Sequence, residues 1–122
     1  MAVSSRDLAA ALASRLDDVA PDGFSVVADE SRITVSRGGS VVGGSAAPEI
    51  LEADVDPNIE TVTRSAISAV QDVFAEELKE PWPATAGAMP DADARVDGYR
   101  LIVWFGSETE PVLTLAPLPL AR

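Results

Sequence analysis

Apolar residues recur at three- and four-residue steps in two stretches of the chain and alternate in several shorter ones, the pattern of two amphipathic helices set among strands. The first helical stretch carries Leu8, Leu12, Leu16 and Val19, widened by Ala9 and Ala13; Ser4 or Ser5 caps it and Pro21-Asp22-Gly23 ends it. Phe24 to Ala28 and Arg32 to Ser36 are β-rich runs joined by a tight Asp29-Glu30-Ser31 turn, the second alternating Ile33 and Val35 with Arg32, Thr34 and Ser36. Arg37-Gly38-Gly39-Ser40 reads as another hairpin turn, leading to a strand around Val41 and Val42 that a bulge or bend at Gly43 and Gly44 ends. Ala46 to Val55 satisfies neither period and reads as a loop.

Asp56-Pro57 is a strong helix start, because a carboxylate accepts from the exposed first-turn donors and proline suits the first helical position. The helix it opens is predicted to run to about Lys79, with Ile59, Val62, Ala66, Val70, Val73 and Phe74 facing inward and Ile67 and Leu78 extending that stripe. Glu60, Arg64, Ser68, Gln71, Asp72 and Glu76 fall on the outer side. Pro81-Trp82-Pro83 stops the helix, and the small, acidic residues that follow predict a flexible loop over about 81–94. Asp97-Gly98 turns a short Arg95-Val96 strand back onto Tyr99 to Phe105. Val112 to Ala116 then closes the sheet, and Pro117 and Pro119 suit an edge strand or terminal arm. The expectation is one α+β domain over residues 1–122, in two layers. Its antiparallel sheet has about five strands with both helices on one side, in the order α-β-β-β-α-β-β.

The Tyr99 strand is apolar on both faces. Tyr99, Leu101, Val103 and Phe105 line one face while Ile102 and Trp104 stand on the other, and the last strand opposes Leu113 and Leu115 to Val112 and Thr114. One helical layer covers one side. Ile102, Trp104, Leu113 and Leu115 are therefore candidate interface residues, dried by a second copy or a partner, unless the first helix folds over that side instead. Trp82, held between two prolines, either joins such an interface or packs across the end of the core.

Charge narrows the partners. Nine Lys plus Arg oppose twenty Asp plus Glu, a formal net charge of −11 that repels phosphate backbones and anionic headgroups and argues against nucleic acid and membrane surfaces. Glu76, Glu77 and Glu80 crowd the carboxyl end of the second helix with only Lys79 to offset them, a solvated end or an acidic patch for a basic partner segment. Met1 to Asp7 lack the basic start and apolar run of a secretory signal, and no segment approaches membrane-spanning length, so the expected location is cytoplasmic.

Chemistry is sparse. The sequence has no Cys and no His, which removes thiolate nucleophiles, thiolate zinc sites and the commonest general base. Asp54-Val55-Asp56-Pro57-Asn58 follows the start of a calcium loop, but Ile59 replaces the sixth-position glycine and Ser65 the twelfth-position glutamate, leaving Asp56 a helix cap. The glycine-rich run from Arg37 to Ser45 lacks the ending of a phosphate cradle and sits between strands. Carboxylate pairs such as Glu52 with Asp54 are what any acidic chain offers. No catalytic residue and no cofactor is assigned.

The helix, three strands, long helix and two strands resemble in order and size the type III secretion chaperone-like domains, small acidic α+β proteins that dimerise. The junction at Pro81-Trp82-Pro83 and the stretch from Asp97-Gly98 to Trp104-Phe105-Gly106 are similar to those of small acidic actinobacterial proteins of uncharacterised role. The first resemblance implies a homodimeric, chaperone- or adaptor-like protein-binding module without enzymatic activity. The alternative is a small-ligand or divalent-cation binder using the loop carboxylates Asp54 and Asp56.

Overall fold

The computed structural model describes residues 4–46, 56–85 and 87–120. Helix α1 spans Ser5–Val19, strands β1, β2 and β3 span Phe24–Asp29, Arg32–Arg37 and Ser40–Ala46, and helix α2 spans Asp56–Leu78. Strands β4 to β7 follow at Ala92–Asp97, Arg100–Gly106, Pro111–Thr114 and Leu118–Pro119. The α+β class and the order of elements are those the pattern predicts. The strands, however, divide into two antiparallel sheets, β1-β2-β3 and β4-β5-β6, with β7 also pairing β5. Local hairpins build each sheet, and α2 lies between them in sequence.

Local chemistry accounts for the elements. Ser4 accepts the Asp7 N–H at 3.4 Å and caps α1, whose Leu8, Ala9, Leu12, Ala13 and Leu16 are buried. In the β2–β3 hairpin Gly38 and Gly39 take φ values of 58° and 86°, the left-handed geometry a two-residue turn needs and side chains resist. The bulge falls at Val42, one residue before the predicted site, since Val35 pairs Gly43 and Ser36 pairs Val41. Strand β3 then continues through both glycines to Ala46. At Gly43 a Cβ would lie 2.6 Å from a methyl of Val73, so the missing side chain is what lets α2 approach β3. The predicted loop from Ala46 to Val55 lies, beyond Ala46, outside the described residues.

Both helices bury their apolar stripes in one contiguous cluster with residues of both sheets. Its centre is a run of four rings in edge-on contact, Phe24, Phe74, Trp82 and Phe105, with successive centroids 5.2, 4.7 and 5.3 Å apart. The run passes from β1 through α2 and the Trp82 segment to β5, so it ties the two sheets together. Gln71, expected on the outer side of α2, is 1% exposed. Its Nε2 donates to the carbonyls of Trp82 and Pro90, which fixes both ends of the intervening loop to the helix. That loop also ends earlier than expected, because β4 begins at Ala92.

Side chains of this chain occupy strand edges. The Val96 N–H of β4 donates to Glu60 Oε2 at 2.8 Å, Arg64 reaches the Ala94 carbonyl at 3.5 Å, and the Val26 N–H of β1 donates to Asp17 at 2.9 Å. Arg15 of α1 donates to the carbonyls of Ala116 and Pro117 at 3.1 and 3.0 Å, where the ladder breaks between β6 and β7. Such pairing blocks strand addition. The tail therefore returns to β5 at Leu118 and Pro119, opposite Leu101 and Arg100, despite its prolines.

Thr63 is fully buried on α2 and its Oγ1 has no hydrogen-bond partner among the described residues. A buried hydroxyl left unpaired costs about 1–3 kcal/mol, so Thr63→Val is expected to raise stability by about 1 kcal/mol, read as a higher urea midpoint at unchanged slope. A lower midpoint would mean that the hydroxyl is satisfied.

Candidate functional site

The β5 register decides which groups face away from the helices. Ile102 pairs with Arg95, and Trp104 pairs with Asp93 and Thr114, whereas Leu101, Val103 and Phe105 are fully buried toward the core. Alternation thus separates the two sets as expected, with one correction: Tyr99 is not on the strand but in the Gly98–Tyr99 turn, 71% exposed. Strand β6 needs a larger correction. Leu113 pairs with Phe105 and so faces inward, packed against the core, and Leu115 is 1% exposed with its N–H on the Val103 carbonyl at 3.0 Å. Leu113 and Leu115 are core residues, and Val112, 45% exposed, and Thr114 stand on the outer face instead. Both parities of this strand are apolar, so alternation alone left its inward face open.

Trp104 is the unusual member of that face. It is buried to 5% exposure, yet it lies outside the contiguous core. Its Nε1 donates to the Gly106 carbonyl at 3.2 Å, and it shares a depression of about 170 Å³ with Ile102, Arg95, Glu108, Pro111 and Thr114. Arg95 and Glu108 pair at 2.9 Å, both about half exposed, a contact that contributes little stability. The indole that sequence reasoning left to a second copy is thus closed off mainly by polar neighbours of its own chain. What remains outward is Ile102, half-buried, and, farther along β5 near Gly106, the exposed Val112. α1 does not cover this face; it packs on β1 and β2.

Trp82 resolves in favour of the core. It is 8% exposed, between Phe74 and Phe105. The acidic cluster is partly neutralised: Arg37 donates to the Glu77 carbonyl at 2.8 Å, sits 3.6 Å from its carboxylate, and covers the Phe24 ring at 5.0 Å. A cation bound to the last carbonyls of a helix suits its dipole, and only the fold brings Arg37 there from β2. Glu76 and Glu80 are exposed. Of the cation candidates, Asp54 and Glu52 lie outside the described residues, and Asp56 opens α2. Among the described residues no three His, Cys, Asp or Glu side chains gather as metal ligands, and no helix is long and apolar enough to cross a membrane.

A second surface escaped the sequence reading. On the first sheet Val26, Ile33 and Val35 point into the core, so Ser25 and Val27 of β1, Thr34 and Ser36 of β2, and Val41 and Gly44 of β3 share the outer face. Val27 is 55% exposed and Val41 70%. The signal was present in the alternation of β1, where a valine stands at each parity. No family model, curated protein or solved structure matches the chain.

Proposed function

We propose that this chain is a non-enzymatic protein-binding module that works in the cytoplasm as a homodimer, in the manner of a chaperone or adaptor. The observation that carries the protein-binding half of the reading is the outer face of the second sheet, where Ile102 and Val112 are apolar groups that neither helix covers and that the core does not include. The resemblance of the element order to that of chaperone-like domains supports it, and side-chain pairing at the β1 and β4 edges disfavours strand addition there. Exposed Glu76 and Glu80 favour a partner segment that is apolar and carries basic residues.

Light scattering is expected to give twice the chain mass of 12.7 kDa at micromolar concentration. A lysine-bearing amphipathic peptide is expected to shift the indole resonance of Trp104 and leave that of Trp82 in place. A monomer, or a peptide without effect on Trp104, contradicts the corresponding half of the proposal.

A further inference from the structure

We infer that the outer face of the first sheet is the surface through which two copies of this chain meet. The inference rests on the homodimer reading above and assigns it a place.

Charge points to a second copy as the occupant. Chains of net charge −11 repel each other, and the repulsion is least where facing surfaces are neutral. This face is neutral: Ser25, Val27, Thr34, Ser36, Val41 and Gly44 carry no charge, and Asp29 and Arg32, opposite each other at its end, cancel. A basic segment gains nothing here that Glu76 and Glu80 do not offer better elsewhere.

The chemistry of the polar groups agrees. A two-fold interface sets each group against the same patch of its copy, so it favours groups that complement themselves. A hydroxyl both donates and accepts, whereas a carboxylate or guanidinium does only one. The polar groups directly across the ladder from Val27 and Val41 are the hydroxyls of Thr34 and Ser36, with Ser25 beside them and the Asp29 and Arg32 pair at the end of the face.

Shape adds a protruding side chain and a bare stretch of strand on the same face. Val41 is that side chain, 70% exposed. Beyond the bulge the strand is bare at Gly44, next to a depression of about 280 Å³ lined by Arg32, Ile33, Thr34, Gly43, Gly44 and Ser45. A Cβ at Gly44 would run into the Ile33 carbonyl, so the position is held without a side chain. Val41 thus stands clear of the sheet, and the bare strand at Gly44 leaves room for a facing copy to approach.

Val41→Glu and Val27→Glu place charge at exposed positions that the fold tolerates, which circular dichroism will verify. Each is expected to raise the dimer dissociation constant roughly 100-fold or more, since like charges then face one another. Ile102→Glu, on the other sheet, is expected to leave it within about threefold, because it touches only the partner-binding face. Folded Val41→Glu and Val27→Glu variants that dimerise like the parent overturn the assignment of this face while leaving the homodimer reading intact. Dissociation by Ile102→Glu alone moves the interface to the second sheet and also overturns it. A parent chain that is monomeric at all concentrations removes the homodimer itself.

Discussion

Phe74→Ala is expected to cost about 3–5 kcal/mol, the range for deleting a buried phenyl ring from a packed core. Phe74 is fully buried and makes edge-on contacts with Phe24 on one side and Trp82 on the other. Its loss cuts the ring sequence that joins the two sheets, and neighbours cannot close the gap, because Phe24 is held on a strand and Trp82 between prolines. The melting temperature should fall by roughly 10–20 °C. A loss below about 1 kcal/mol would mean that the two sheets do not share this core.

Gln71→Leu should come next, at about 2–4 kcal/mol, although it exchanges a polar residue for an apolar one of similar size at a buried position. The amide nitrogen serves two carbonyls, those of Trp82 and Pro90, and leucine leaves both unpaired. A second consequence distinguishes this loss from simple repacking. The loop between the two carbonyls loses its tether, so limited proteolysis should cut between Ala84 and Asp91 faster than in the parent. Unchanged cleavage with unchanged stability would show that the loop holds itself in place.

Residues whose role depends on near neighbours were legible in the sequence. The stripes of both helices, the Ser4 cap, the Gly38–Gly39 turn and the opposition of Ile102 and Trp104 to Leu101, Val103 and Phe105 follow from periods of 3.6 and 2 and from turn chemistry. Long-range geometry decided the rest. Leu113 and Leu115 turn inward because of how β6 registers on β5, which a strand apolar at both parities does not reveal. Gln71 is buried because a loop from beyond the helix returns over it, and a helical wheel places any such residue outside. Trp104 is dried by Asp93, Thr114, Arg95, Glu108 and Pro111, groups that a pattern of apolar positions does not count as cover. The division into two sheets is of the same kind, since nothing local says whether β3 and β4 pair across α2.

Those corrections move the weight of the association argument from the second sheet to the first. Trp104 no longer needs another molecule to hide it, whereas Val27 and Val41 are open on a neutral face. The most direct measurement is an isotope-filtered nuclear Overhauser experiment on a mixture of labelled and unlabelled chains, which reports only contacts between copies. Intermolecular signals from the methyl groups of Val27 and Val41 are the expected result. Intermolecular signals confined to Ile102 and Val112, or none at a concentration where the mass is that of a dimer, would contradict the account.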